Sequence, residues 1–237
     1  MSSNAGSWSG CFAVAVPWRV RFDPGVPKAV HRICPACLEP TEGADVDPDA
    51  GLLRCDRCGA ATPFDLLPPL LFLTGASGAG KTTLYRALVG KVREALLIDA
   101  DLLWGVDARH DDRATGYRRF RGLVLHLAER LAANGTPVLI EGSCMPEQYE
   151  ALGERWYFTK TAYLAVVCSD DELRRRLEAR PSWRDSKFRL EPMLVWNRQL
   201  RTRNLPGPPV IDVVDTTGRP VSECAAEVHA WIRRQVT

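Results

Sequence analysis

The sequence predicts an α/β fold in which a parallel five-stranded sheet lies between two layers of helices, with a small cysteine-bearing unit ahead of it. Three observations carry this expectation. The apolar run Leu70-Leu71-Phe72-Leu73 turns abruptly into the glycine-rich stretch 75–82, which leads into helix-forming sequence. Four more apolar runs follow, alternating with segments of helical spacing. Upstream, four cysteines form two C-x2-C pairs. Strands that alternate with helices imply parallel pairing, and the crossover helices then cover both faces of the sheet.

A chain of 237 residues with 46% apolar and 25% charged residues has the makeup of a soluble globular protein, with room for one medium domain and a small one. Its formal charge of +2 gives no ground for general binding to polyanions. No apolar run approaches the roughly 20 residues that a bilayer-spanning helix needs. The N-terminus lacks a basic segment followed by a long apolar one, so no secretory signal is expected. Half of the eight cysteines have metal spacing and the fold class is an intracellular type, so a cytoplasmic location is expected.

In chain order, Met1 to Gly10 reads as a loose polar terminus. Cys11 to Phe22 has β-rich character broken by Pro17, which suits an edge strand or a segment packed on a neighbour. Residues 1–30 carry no motif. Residues 31–66 hold Cys34, Cys37, Cys55 and Cys58, with 17 residues between the two pairs. That is the spacing of a four-cysteine zinc site, in which two knuckles complete a tetrahedron. Gly59 follows the second pair, where a tight knuckle favours a residue without Cβ. The unit resembles a zinc ribbon, and four sulfur ligands leave no open position for a reactive water, so the metal is expected to be structural. From Met1 to Leu66 there are six Lys+Arg against eight Asp+Glu, which argues against a nucleic-acid backbone as partner. The ribbon is expected to pack on the larger domain or to meet a protein partner.

Leu67-Pro68-Pro69 is a stiff connection into residues 67–237. The first strand pattern starts at Leu70, and helix-like sequence covers Lys81 to about Val92. Ala95–Ile98 is a second strand pattern ending in Asp99-Ala100-Asp101. Leu123, Leu127 and Leu131 recur every four residues within a helical stretch from Tyr117 to Asn134, which Asn134-Gly135 stops. Val138–Ile140 is the third strand pattern and runs into Glu141-Gly142. Ala162–Cys168 is the fourth, followed by the capping-box sequence Ser169-Asp170-Asp171-Glu172. Pro209–Val214 is the fifth and ends in Asp215-Thr216-Thr217-Gly218. A last helix is expected over about Val221–Arg234.

The chemistry concentrates at residues 75–82. Gly75, Ala76, Ser77, Gly78, Ala79, Gly80, Lys81 and Thr82 spell G-x-x-x-x-G-K-[ST], the P-loop, with Thr83 continuing into the helix. Glycines let the backbone curl so that successive N–H groups face phosphate oxygens, and the helix start adds partial positive charge. Lys81 would reach the β- and γ-phosphates, and the Thr82 hydroxyl would ligate Mg²⁺. The chain is therefore expected to bind a nucleoside triphosphate in a P-loop NTPase fold of three layers.

In open α/β sheets ligands bind outside the carboxyl ends of the strands. The P-loop, Asp99 with Asp101, and Glu141 all fall there. Together with the arginine-rich segment after the fourth strand, these features resemble the nucleotide and small-molecule kinases, among them adenylate kinase, gluconate kinase, adenylylsulfate kinase and chloramphenicol phosphotransferase. The resemblance spans about Leu70 to Thr237. It implies ATP and Mg²⁺ as cofactors and phosphoryl transfer to a hydroxyl of a nucleoside, sugar or antibiotic-like metabolite. It implies Asp101 as the group that orients or deprotonates the acceptor, with Asp99 as its alternate or an outer contact to Mg²⁺. Either aspartate also suits an ordinary helix cap or turn. Glu141 would hold Mg²⁺ through water. From Glu172 to Arg203 there are ten Lys+Arg against four acids, which looks like the kinase lid (about 172–203). Arg176 and Arg180 are four residues apart and can face one phosphate, and Pro181 opens a segment that carries Arg184. A solvated charged helix is the plainer alternative. Residues 215–218 stand where the kinases place an adenine-contacting loop.

Two departures from the kinase pattern bear on the acceptor. Glu141-Gly142 replaces the Asp-Gly of nucleoside monophosphate kinases, and Ser143-Cys144-Met145-Pro146 replaces their Phe-Pro-Arg. A monophosphate kinase would need an acceptor-phosphate arginine near Arg109, Arg113 or Arg118. The other alternative is a nucleotide-binding regulator whose ribbon docks a protein. Acceptor choice is expected to reside in 102–121 and 143–160. Cys11, Cys144, Cys168 and Cys224 lack metal spacing and are expected to be core or incidental residues.

Overall fold

A computed structural model describes residues 32–41, 44–103, 117–181, 190–203, 205 and 210–237. The five expected strands are present as β6 (Leu70–Thr74), β7 (Leu96–Asp99), β8 (Val138–Glu141), β9 (Thr161–Val167) and β10 (Ile211–Asp215). They form one parallel sheet in the order β10-β9-β6-β8-β7, so the P-loop strand β6 is central, with β8 and β9 on either side.

Alternation along β6 builds the layers. Leu70 and Phe72 point to one face, where they join Val124, Leu125 and Ala128 of the helix α2 (Arg118–Ala132). Phe72 there stacks flat on Tyr163, with ring centroids 4.7 Å apart. Leu71 and Leu73 point to the other face, against Leu84 and Leu88 of α1 (Lys81–Leu88) and against Val228, Trp231 and Ile232 of the C-terminal helix α6 (Val221–Val236). All five residues of β6 are buried, as a strand covered on both sides requires. Between these elements lie α3 (Pro146–Glu150), a 3₁₀ turn (Gly153–Tyr157), α4 (Asp170–Glu178) and α5 (Leu190–Arg201). The last two meet through Leu173, Leu177 and Leu194 above the P-loop residue Ala76.

Element ends differ from expectation where the backbone turns early. Helix α1 stops at Leu88 rather than near Val92, because Val89 leaves the helical region and Gly90 takes φ 77°. At α4, Ser169 caps the helix by accepting the Glu172 N–H at 3.3 Å. The return half of a capping box is replaced, since the Glu172 carboxylate goes to Arg175 and Arg176 instead.

The cysteine-bearing unit comprises the hairpin β1 (Arg32–Ile33) and β2 (Pro40–Thr41), then an antiparallel sheet of β3 (Ala44–Asp47), β4 (Leu52–Cys55) and β5 (Ala61–Pro63). It packs on the larger domain. Val46, 3% exposed, belongs to the same buried cluster as Phe72, Tyr149, Tyr157 and Phe158, and Leu53, Phe64 and Leu67 pack against that cluster. The Phe64 ring meets Tyr157 edge-on at 5.4 Å. Leu67 donates its N–H to Tyr157 at 2.8 Å and accepts from Thr159 at 2.9 Å, so the connection is stitched down at both sides. Among the described residues no helix is long and apolar enough to cross a membrane.

Val46 thus tests whether the two units share one core. Val46→Ala should lower stability by about 1–3 kcal/mol while unfolding stays a single transition. A denaturant titration followed by tryptophan fluorescence would show it, and two separate transitions with the larger one unmoved would contradict the shared core.

Candidate functional site

The loop leaving β6 is shaped by glycines whose neighbours leave no choice. Gly75 has φ 144°, and a Cβ there would lie 2.3 Å from the backbone carbonyl oxygen of Val166 on the neighbouring β9. Gly80 has φ 113° and immediately precedes α1. Between them the methyl groups of Ala76 and Ala79 are fully buried and anchor the loop.

Lys81, 8% exposed, folds back under this loop. Its ammonium donates to the carbonyls of Gly75 at 2.8 Å and Ala76 at 3.2 Å. Burial lowers its pKa, while the carboxylates of Glu141 and Asp101 pull it back up. Thr82 follows on α1 and donates its hydroxyl to Glu141 Oε1 at 3.3 Å. Glu141 pairs in register with Leu73 on one side and Asp99 on the other, which puts three strand ends at one mouth. Burial pushes the Glu141 carboxyl up to about 7; Lys81 opposes this, and Asp99 and Asp101 add to it. Next to it, the Thr74 hydroxyl donates to the Cys144 carbonyl at 2.6 Å and accepts the Cys144 N–H at 3.1 Å, fixing the path of the chain beyond β8.

The two aspartates at the end of the second strand differ in placement. Asp99 accepts the backbone N–H of Asp101 at 2.9 Å, so it shapes the turn. Asp101 lines the cleft over the P-loop. The opposite wall comes from α4. Arg176 donates to Glu172 at 2.8 Å, to the Ala79 carbonyl at 3.0 Å and to the Thr216 hydroxyl at 3.1 Å. Arg180 donates to Ser77 Oγ at 3.0 Å. Arg174, on another face, reaches Glu191 at 3.8 Å, so the three adjacent arginines diverge as the helical period requires. The cleft holds about 570 Å³ and brings Lys81, Thr82, Asp101, Glu141, Arg176 and Arg180 to one space. Arg184, Arg109, Arg113 and Cys11 lie outside the described residues.

Arg175 reaches the cleft as one of the basic residues of the expected lid, and Thr216 as part of the 215–218 loop; Arg86 and Arg219, which also line it, carry no signal in the motif-based reading. Thr216 is buried just past the end of β10, in the stretch Asp215-Thr216-Thr217-Gly218 that the resemblance places beside adenine.

In the small unit, the Sγ atoms of Cys34, Cys37, Cys55 and Cys58 lie within 4.8 Å of one another. Cys34 Sγ and Cys58 Sγ are 3.9 Å apart. A tetrahedral zinc with Zn–S of about 2.3 Å gives sulfur–sulfur edges of about 3.8 Å, so the cluster fits that ion. The two knuckles repeat one hydrogen-bond pattern. Cys34 receives the Leu38 N–H and donates to Glu39, and Cys55 receives the Gly59 N–H and donates to Ala60. The fourth position after each first cysteine is left-handed, Leu38 at φ 59° and Gly59 at φ 72°. At Cys34 burial raises the thiol pKa, but the backbone N–H groups of Cys37 and Ala36 and the neighbouring thiols outweigh it and bring it down to about 7. Cys144, Cys168 and Cys224 are buried, and Cys144 is pushed up to about 12 by burial.

Residues 70–206, more than half of the chain, match the AAA domain family. The chain belongs to that family. Solved structures agree on the fold. An unliganded sugar kinase from a Janibacter species superposes with a TM-score of 0.51 at 14% identity, covering 70% of this chain and 95% of that one. A tunicamycin resistance protein from Deinococcus radiodurans gives 0.50 at 13% identity, over 70% and 95% of the two chains. A gluconokinase from Sinorhizobium meliloti gives 0.47 at 21% identity, over 73% and 95%. No curated protein matches the sequence. At these identities the first two likenesses show the shared α/β fold alone.

Gly75 offers a direct check of the loop geometry. Gly75→Ala combines a left-handed strain with a clash against backbone, and should cost more than about 2 kcal/mol. A thermal-melt comparison would measure it; a melting point equal to that of the native chain would contradict the close approach of Val166.

Proposed function

We infer that this chain is an ATP- and Mg²⁺-dependent phosphotransferase acting on a hydroxyl of a small molecule, of the nucleoside, sugar or antibiotic-like class. One observation carries the reading. A single cleft holds a buried P-loop lysine, a carboxylate at the end of the second strand and an arginine reaching the loop from the opposite wall. Phosphoryl transfer asks for little else, because positioning and charge stabilisation supply most of its catalysis.

In this reading the amides of 76–82 and the Lys81 ammonium hold the β- and γ-phosphates. Arg180, beside Ser77, places positive charge where the transferring group gathers negative charge. Thr82 and Glu141, a hydroxyl and a carboxylate 3.3 Å apart, are hard oxygen donors suited to Mg²⁺, which when bound would neutralise charge on the phosphate oxygens. Asp101 takes the acceptor proton as the acceptor oxygen bonds to the γ-phosphorus. The bond from that phosphorus to the bridging oxygen breaks, and its electron pair leaves with ADP. Asp99, held to the Asp101 N–H, keeps the turn in place. The four cysteines hold a structural zinc, and the unit is seated on the larger domain through Val46, Leu53 and Phe64.

The reading is checked by screening a panel of hydroxylated metabolites for acceptor-dependent ADP release. With a responsive acceptor in hand, Asp101→Asn should lower kcat by about 10²–10⁴-fold and leave the KM for ATP nearly unchanged. Asp99→Asn should be the milder of the two. If both variants turn over normally, the second strand does not supply the base and the hydroxyl-kinase reading fails. ATP hydrolysis that no acceptor stimulates would favour a nucleotide-binding regulator.

The zinc is checked separately, without reference to activity. Purified protein should carry about one zinc per chain, and Cys58→Ser should lower both the zinc content and the melting temperature. Metal-free protein of undiminished thermal stability would refute the assignment.

A further inference from the structure

The carbonyl of Ala79 is held from two directions. Arg176 Nη1 donates to it at 3.0 Å, and the Thr216 hydroxyl lies 3.0 Å from it. The two donors are themselves linked, since Arg176 Nη1 also donates to Thr216 Oγ1 at 3.1 Å. Neither group is loose. Arg176 is braced by Glu172 at 2.8 Å, and Thr216 is 6% exposed, with its backbone N–H on the Val167 carbonyl at 2.9 Å; its hydroxyl lies 3.0 Å from that oxygen as well as from the Ala79 carbonyl, so its one proton is shared between the two acceptors. Its neighbour Thr217 accepts the Ser169 N–H at 2.7 Å, which ties the same turn to the start of α4. Helix α4, the turn after β10 and the P-loop therefore converge on one peptide oxygen.

That oxygen belongs to the peptide that carries the Gly80 N–H. A trans peptide is planar, and its C=O and N–H point in opposite directions. Fixing the Ala79 carbonyl toward Arg176 and Thr216 therefore fixes the Gly80 N–H away from them. Gly80 is also the residue most free to rotate this plane, with φ 113° and no side chain. A Cβ on it would come 3.6 Å from Arg176 Nη1 and 3.9 Å from Thr216 Oγ1, so the two donors sit directly against the peptide they restrain.

We propose that Arg176 and Thr216 are positioning residues that lock the Ala79–Gly80 peptide in the orientation from which Gly80 donates to phosphate, so that nucleotide affinity depends on side chains acting through the loop and not on the nucleotide itself. The proposal rests on the P-loop reading given above and deepens it. Preorganised amides bind an anion without reorganising when it arrives, and an amide free to flip loses that advantage. The inference gives Arg176 a different task from Arg180. Arg176 spends its fork on the loop, whereas Arg180 stands at Ser77 near the mouth.

The test uses the full chain and two probes, Mg²⁺·ATP and magnesium tripolyphosphate, the second lacking base and ribose. Their affinities are measured by calorimetry, with circular dichroism showing that each variant is folded at the assay temperature. Thr216→Val removes the hydroxyl and keeps the shape. It should weaken both probes by the same factor, about 10–100-fold, and Thr216→Ser should restore both. If Thr216→Val does not fold, Arg176→Lys serves in its place; it keeps the charge, loses the fork, and should weaken both probes alike. Loss of ATP affinity with tripolyphosphate binding unchanged would mean that these residues touch the nucleoside, and it overturns the proposal. Native affinity for both probes overturns it as well. Lys81→Ala separates this from the underlying reading: tripolyphosphate binding that is absent in the native chain, or unchanged by Lys81→Ala, removes the P-loop site itself.

Discussion

A buried ammonium sets the terms for the rest of the larger domain. Lys81 is 8% exposed, and a cation taken out of water must find oxygen atoms elsewhere. It finds two in the carbonyls of Gly75 and Ala76, which requires the loop to double back over its own lysine. That reversal in turn brings Gly75 against the backbone of Val166, where no side chain fits. The order of strands thus reaches into the loop. Because β9 lies beside β6, the first glycine of the motif is sterically obligatory, and because β8 lies on the other side, Glu141 arrives within Coulombic reach of the same cation.

The mouth of the sheet is consequently a place of opposed charges gathered by backbone geometry. Asp99, Asp101 and Glu141 come from the ends of two adjacent strands, and Lys81 from the helix between them and the loop. Loss of water above all raises the Glu141 carboxyl toward neutrality; the charges of Asp99 and Asp101 add to this and Lys81 opposes it. Arg175 and Arg176 enter from the far wall, on α4, an element packed above the loop by Leu173 and Leu177, with Arg180 just beyond its end. Negative charge from the sheet and positive charge from the helical cover face each other across one cleft. A nucleotide with its cation is the kind of ligand that satisfies both walls at once.

Much of this was readable from the chain. The five strands announce themselves as apolar runs because a sheet covered on both faces needs no polar alternation. The P-loop is legible because its spelling is dictated by left-handed φ values and by amide access. Other features leave little trace in one dimension. Spacing places Asp99 and Asp101 together but cannot tell which carboxylate turns back to its own backbone; a single hydrogen bond decides it. The resemblance places Thr216 in a loop beside adenine, but its bonding to Ala79 and Arg176 is invisible in the chain, since those partners are 137 and 40 positions away. The consecutive arginines 174–176 read as one basic run, yet they divide among an exposed pair, a carboxylate and the loop. The seat of the cysteine-bearing unit was hidden for the opposite reason. Val46 stands alone in Ala44-Asp45-Val46-Asp47, a stretch too acidic to suggest a strand that contributes to the main core.

That seat has a practical consequence. Small metal-held units are often regarded as portable, to be cut away or exchanged at the linker without harm to the remainder. Here the boundary at Leu67 is itself hydrogen-bonded to Tyr157 and Thr159, and the rings beneath it belong to the larger domain. A chain trimmed to begin at the sheet would carry Tyr157 and its surroundings to a new surface, leaving a greasy face where a cover had been. Such a fragment would be prone to self-association, and any comparison of activity with and without the unit would be confounded by solubility. Point changes at the sulfur positions disturb far less of the molecule than excision, and are the cleaner way to ask what the unit contributes.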